Sequence, residues 1–135
     1  MAKKISEIEG IGKVYAEKLK SANLSNVEAL LEAGASKAGR KKIAQATGID
    51  ESKILTWVNM ADLFRVKGIG EEYSQLLEAA GVDTVKELRN RKADNLHAKM
   101  EEVNKSKKLV RQLPYLQNIE KWIEQAKALD PKVTH

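Results

Sequence analysis

The sequence predicts an all-α protein in which two copies of one helical unit are packed into one compact domain. Apolar residues recur at spacings of three and four along nearly the whole chain, and only two prolines interrupt its 135 residues. The phrase Gly-Ile-Gly occurs at residues 10–12 and again at 68–70, each time before a segment with helical spacing. The residues that follow each phrase also correspond, which indicates an internal repeat.

The repeat can be read by shifting the sequence against itself. A shift of 58 places pairs Tyr15 with Tyr73, and a shift of 65 places further on pairs Trp57 with Trp122. The second copy therefore carries seven additional residues, placed between 96 and 119. Such repetition indicates stacked units that cannot each bury an apolar face alone. We expect repeats at 1–62 and 63–135, joined as one continuous body because a helix over about 51–67 crosses from one to the other without a Gly, Pro or Ser linker.

The helices follow from spacing and from cap residues. The first copy predicts helices at 3–9, 12–23, 26–33, 37–47 and 51–67. The second predicts helices at 70–80, 85–91, 95–104, 106–112 and 115–129. Capping boxes are predicted at Ser25 with Glu28 and at Thr84 with Glu87. Further N-caps are expected at Ser36, Asp50 and Asp94, and left-handed helix ends at Gly34 and Gly48.

The composition argues against catalysis and against a membrane span. The chain has no cysteine, so disulfides and thiolate metal sites are excluded. Its two histidines, His97 and His135, cannot build a metal cluster or a Ser-His arrangement, so we expect no enzyme activity, catalytic residue, metal, cofactor or small-molecule substrate. No apolar run reaches the length of a membrane helix or a signal peptide, which predicts a cytoplasmic protein without membrane contact.

The positive charge is concentrated in one stretch. The net charge is +5, and residues 86–111 carry nine Lys and Arg against four Asp and Glu, a surplus equal to the whole net charge. Such a stretch suits a polyanionic partner, or it is the solvated face of ordinary helices. The few aromatic residues are expected in the core, which gives little support to base stacking.

The Gly-Ile-Gly phrase suits a tight turn between two helices. The first glycine can adopt positive φ, the isoleucine points into the core, and the second glycine starts the next helix. The free N–H groups at that helix start, together with the helix dipole, form a site for a phosphate. Lys13 follows the first turn, whereas Glu71 and Glu72 follow the second and would repel an anion. We therefore expect the first turn to bind and the second to be mainly structural.

Two stretches, "ISEIEGIGKVYAEKL" at 5–19 and "FRVKGIGEEYSQLL" at 64–77, resemble the helix-hairpin-helix motif. Over almost its full length the chain also resembles the bacterial family of domain of unknown function 4332, most clearly in "WVNMADLFRVKGIGEEYSQLLEAAGVDTVKEL" at 57–88 and "LPYLQNIEKWIEQAKAL" at 113–129. The resemblance implies tandem helix-hairpin-helix repeats. It also implies binding of DNA through backbone phosphates at Gly10, Gly12 and Lys13, and at Gly68 and Gly70.

The function expected from these observations is non-sequence-specific binding of duplex DNA by an accessory or architectural protein. The alternative is a protein-protein interaction module in which the hairpins only stack helices. The predicted phosphate contacts are Gly10, Ile11, Gly12, Lys13, Gly68, Gly70, Arg40, Lys41, Lys42, Lys105, Lys107 and Lys108.

Overall fold

The computed structural model describes residues 3–8 and 10–135. Within these residues the chain is helical and has no β-strand beyond a single antiparallel bridge between Lys4 and Asn26, so the all-α prediction is confirmed. None of the described helices is long and apolar enough to cross a lipid bilayer. A 3-10 turn at Ile5–Glu7 precedes helices α1 (Lys13–Ser21), α2 (Val27–Gly34), α3 (Lys37–Thr47), α4 (Glu51–Leu63), α5 (Glu71–Ala79), α6 (Val85–Leu88), α7 (Ala93–Lys107) and α8 (Leu116–Ala128).

The chain divides into two compact units. The first comprises the described residues up to Asp62 together with Lys132–His135, and the second comprises Leu63–Pro131. The division near the end of α4 falls where the sequence repeat changes copy, whereas the last four residues belong to the first unit. That the two copies form one continuous body stays a prediction.

The predicted helix at 3–9 is a single 3-10 turn, and its residue 9 lies outside the described residues. The backbone before the turn is extended because it pairs with the start of α2. The N–H of Val27 donates to the carbonyl of Lys3 at 2.9 Å, and the N–H of Lys3 donates to the Glu28 carboxylate at 3.1 Å. Residues 3 and 4 are therefore held by a distant segment and are not free to join a helix.

Two predicted helices end early and one does not form. Helix α4 stops at Leu63, and Gln125 holds the next turn by accepting from the N–H of Lys67 at 2.9 Å and donating to its carbonyl at 3.2 Å. Helix α6 stops at Leu88. The predicted helix at 106–112 is absent because α7 runs on to Lys107, and the Asn104 side chain then bonds both the N–H and the carbonyl of Val110.

Several predicted N-caps are confirmed. The side chains of Ser36 and Thr84 accept from the N–H groups of Gly39 and Glu87, at 3.0 and 3.3 Å. The carbonyl of Asp50 accepts from the N–H of Ile54, as expected of the residue before a helix.

Three predicted caps are wrong. The start of α2 is capped by Asn26 and not by Ser25, because the Asn26 side chain accepts from the N–H of Ala29 at 2.7 Å. Asp94 lies inside the first turn of α7, which starts after Lys92. Gly48 closes α3 with φ +73°, but Gly34 is the last residue of α2 and packs closely, since a Cβ there would lie 2.5 Å from Val58 Cγ2.

Each unit contains one buried tryptophan. In the first unit, α1 and α2 pack on α3, and Trp57 is 3% exposed. In the second, α8 packs on α6 and α7, α5 packs on α7, and Trp122 lies in a cluster that also includes Leu63, Ile69, Leu77, Met100 and Ile119. The expected core role of both tryptophans is confirmed.

Candidate nucleic-acid interface

The first Gly-Ile-Gly turn has the conformation that its sequence predicts. Gly10 has φ +92°, and Ile11 is buried and donates its N–H to the carbonyl of Ile8 at 3.2 Å. A Cβ on Gly10 would lie 3.3 Å from Nε1 of Trp57, so the turn backbone rests against the indole edge. Residue 10 is therefore glycine for two reasons: its φ is positive, and a side chain at this position would crowd Trp57.

The second turn repeats this geometry. Gly68 has φ +97°, Ile69 is buried and donates to the carbonyl of Val66 at 3.2 Å, and a Cβ on Gly68 would lie 2.8 Å from Nε1 of Trp122. The similarity extends to Tyr73, whose ring lies 5.4 Å from that of Trp122 at 52°. In the first unit the corresponding pair, Tyr15 and Trp57, is separated by 5.2 Å at 57°.

The two helices that follow the turns differ in charge. Gly12 is the N-cap of α1 and provides no side-chain acceptor, and the first turn of α1 contains Lys13 and no acidic residue. The N–H of Ala16 donates to the Gly12 carbonyl at 2.9 Å, so the intrahelical bonds begin only at residue 16. Gly70 starts α5 in the same way, but Glu71 and Glu72 occupy its first turn.

The surroundings of α1 combine cations with apolar surface. A cleft of about 370 Å³ runs beside the helix and is lined by Ile5, Ser6, Lys13, Ala16, Glu17, Lys20 and Ser25. Val14, next to Lys13, is 66% exposed. An exposed valine beside a helix start is available for contact with a partner surface.

Two further lysines lie near the first turn, against Tyr15. The ammonium groups of Lys18 and Lys53 lie 6.0 and 5.8 Å from the centre of the Tyr15 ring, within the range of a cation–π interaction. The repeat places Leu76 and Asn118 at the corresponding positions of the second copy. The two cations beside Tyr15 are therefore replaced by neutral residues in the second copy.

The second turn has polar neighbours instead. The Tyr73 hydroxyl donates to the carbonyl of Gln112 at 3.2 Å, and the Gln112 side-chain amide donates to the Tyr115 hydroxyl at 3.0 Å. These residues border a cavity of about 220 Å³ that also touches Gly68 and Trp122. Residues 112–115 lie in the stretch between 96 and 119 that holds the additional residues of the second copy, so part of this stretch borders the second turn.

Arg40 is not a surface cation, which corrects its assignment as a phosphate contact. Its side chain is 4% exposed, and its guanidinium donates to the carbonyls of Gly34 at 2.9 Å, Ala35 at 3.1 Å and Thr134 at 2.6 Å. Burial lowers the pKa of the Arg40 guanidinium, and the charge of Glu51 opposes that shift. Arg40 thus stabilises the C-terminal end of α2, where free carbonyls need donors.

The other basic residues of the predicted site are exposed. Lys41 and Lys42 lie on α3 in the first unit, and Lys105 and Lys107 lie in the last turn of α7 in the second. Lys108 follows α7 as its C-cap with φ +50°. Cations near a helix C-terminus are favoured by the helix dipole, so α7 by itself accounts for part of this cluster.

Lys107 also acts on a carboxylate. Burial raises the pKa of Glu78, the negative charge of Asp83 raises it further, and Lys107 lowers it.

Sequence reasoning missed Lys18, Lys20 and Lys53 as neighbours of the first turn. Lys20 could have been found, because residues 13 and 20 are seven apart and share one face of a helix. Lys53 gave no such signal, because it reaches Tyr15 from a different helix.

The two units, with matched glycine turns, matched Tyr–Trp pairs and corresponding helices, define an all-α protein of tandem repeats. Residues 9–129 match the family described as domain of unknown function (DUF4332), and the chain belongs to that family. No solved structure matches the chain.

Proposed function

We propose that this protein binds duplex DNA without sequence specificity, through backbone phosphates held at the first Gly-Ile-Gly turn, in the manner of a helix-hairpin-helix protein. The observation that carries the proposal is the start of α1. It has a glycine N-cap without a side-chain acceptor and a lysine in place of a carboxylate.

This start of α1 is unfavourable for the helix unless an anion binds beside it. A cation at a helix N-terminus opposes the dipole by about 0.3–1 kcal/mol, whereas a phosphate there accepts from the free N–H groups and pairs with the lysine. Gly12 and Lys13 are exposed, and Gly10 and Ile11 hold the turn that presents them. Phosphate contacts of this kind position a protein on DNA but do not read its bases.

Other exposed lysines can add phosphate contacts. Lys41 and Lys42 in the first unit, and Lys105, Lys107 and Lys108 in the second, can each neutralise a phosphate. Arg40 is buried and donates to carbonyls of its own chain, so it makes no phosphate contact. Gly68 and Gly70 contribute less, since α5 starts with two glutamates.

With few contacts, we expect a dissociation constant of about 10⁻⁴ to 10⁻⁶ M at physiological salt. Each phosphate contact should add about 0.9 to the slope of log affinity against log salt. A cytoplasmic location is part of the same proposal.

Fluorescence anisotropy with two unrelated duplexes, single-stranded DNA and RNA, each at two salt concentrations, tests this function. Lys13→Glu should weaken binding to both duplexes alike and reduce the salt slope. Lys37→Glu is the matched control, because Lys37 is also the first residue of a helix and exposed, but that helix start is already capped by Ser36. Equal binding by wild type and Lys13→Glu, or equal losses in the two variants, would contradict a phosphate site at the first turn.

The second candidate function is docking of another protein, and the cleft beside α1 favours it. Ile5 and Ala16 line this cleft, and the exposed Val14 lies on the same helix. If none of the nucleic acids binds at low salt, this candidate replaces the first.

A further inference from the structure

Residues Lys132–His135 pack in the first unit through their backbone. The N–H of Thr134 donates to the carbonyl of Ala35 at 2.8 Å, and the carbonyl of Thr134 accepts from the Arg40 guanidinium at 2.6 Å. Arg40 is held in place by its bonds to Gly34 and Ala35, which do not involve this segment. The backbone of Thr134 is thus bound by an acceptor in the turn between α2 and α3 and by a donor, Arg40, on α3.

The side chains of the segment make separate contacts on either side. The Lys132 ammonium lies 3.3 Å from the Glu32 carboxylate, and Val133 is 7% exposed. The ring Nε2 of His135 lies 3.3 Å from the side-chain oxygen of Asn59, which is itself 8% exposed. Along these four residues, Lys132 meets a carboxylate, Val133 is buried, Thr134 is hydrogen-bonded through its backbone and His135 meets a buried amide.

We propose that this surface, here named the Arg40 groove and formed by Glu32, Ala35, Arg40 and Asn59, is a recognition site for an extended peptide. The segment 132–135 occupies it in cis. The partner it fits is an extended segment of another protein with a cation, then a β-branched residue, then a residue that offers its backbone N–H and carbonyl. The site is separate in the sequence from the first Gly-Ile-Gly turn. Peptide binding at this site therefore does not depend on DNA binding.

The contacts are those of peptide recognition. Main-chain hydrogen bonds provide affinity for any extended chain, and flanking pockets select its side chains. Arg40 also keeps two of its three bonds when the segment leaves, because these are made to α2 and its C-cap. Asp130 and Pro131 are exposed and join the segment to the preceding helix region, so the tether is short. A short tether gives the segment an effective concentration on the order of millimolar, against which a partner must compete.

Titration of the ¹⁵N-labelled full chain, followed by NMR, tests the proposal. The titrant is a peptide with the sequence of residues 129–135 and blocked ends. The labelled chain carries Val133→Asp. This change releases residues 132–135 from the Arg40 groove, because a carboxylate at position 133 would otherwise be buried without a partner. The amides of residues 34–40 and the side-chain amide of Asn59 should shift and saturate. The wild-type chain should need at least about tenfold more peptide, because its own segment competes.

The matched control peptide carries the Val133→Asp change and should leave these amides unshifted. If Val133→Asp lowers the helical circular dichroism of the chain, Lys132→Glu takes its place. In that variant residue 132 repels Glu32 instead of pairing with it, which weakens the attachment of the segment without placing a charge in a buried position. No shift at residues 34–40 with about 5 mM peptide, or equal shifts with the control peptide, would overturn the proposal.

Discussion

Replacement of Arg40 by alanine separates a structural role from a phosphate-binding role at the same residue. The wild-type guanidinium donates to three carbonyls, and its side chain is 4% exposed. A hydrogen bond to a charged group contributes about 1.5–3 kcal/mol, but part of that gain offsets the cost of burying the guanidinium. We expect Arg40→Ala to lower the free energy of unfolding by about 2–4 kcal/mol, since three carbonyls lose a donor and a cavity remains.

The matched control is Lys41→Ala, one residue further along α3 and exposed. It should change stability by less than about 0.5 kcal/mol, the usual range for a surface substitution. Urea denaturation followed by tryptophan fluorescence measures both variants, and anisotropy with duplex DNA measures their affinities. At a temperature where both are folded, Arg40→Ala should bind DNA as well as wild type, whereas Lys41→Ala should bind slightly less.

The reasoning would be refuted by the opposite pattern. If Arg40→Ala loses less than about 1 kcal/mol of stability and more DNA affinity than Lys41→Ala, the guanidinium contacts a phosphate and not the carbonyls of its own chain.

Three further outcomes are expected. Glu71→Lys with Glu72→Lys should strengthen DNA binding at the second turn and lower stability by about 0.3–1 kcal/mol per residue, because cations oppose the dipole at a helix start; anisotropy and thermal melting check the two effects. Burial and the charge of Asp83 raise the pKa of Glu78 in the folded state. Glu78 therefore contributes stability at a pH below the pKa that it has in the unfolded chain, and this contribution is lost as the pH rises through its folded-state pKa. Urea midpoints measured across that range should thus converge for wild type and Glu78→Gln at low pH, with the variant more stable at neutral pH; parallel curves would contradict the pKa shift. Trp57→Ala should lower the free energy of unfolding by about 3–5 kcal/mol. If the two copies form one body, circular dichroism and fluorescence should each show a single unfolding transition for the wild type and for the variant. Two transitions would show independent units.

The sequence by itself determined the features that depend on neighbouring residues. Both Gly-Ile-Gly turns, the burial of both tryptophans and the caps at Ser36 and Thr84 follow from backbone preferences and spacing, which act over a few residues. The opposite charges at Lys13 and at the second turn were also readable, and with them the distinction between the two turns. The repeat strengthened each of these interpretations, because every feature could be checked against its counterpart.

Other features were decided only by the tertiary structure. The segment before the first turn looked helical, but its backbone pairs with residues at the start of α2, more than 20 positions away. Asn26, and not Ser25, caps α2, and Asn26 is also the residue that pairs with Lys4. Arg40 sits among lysines in the sequence and is buried in the structure, because the carbonyls that receive it come from the end of α2 and from Thr134, 94 residues further on. A local pattern reports propensity and charge, whereas the burial of a charged group depends on which distant backbone atoms the fold brings within hydrogen-bonding distance of it.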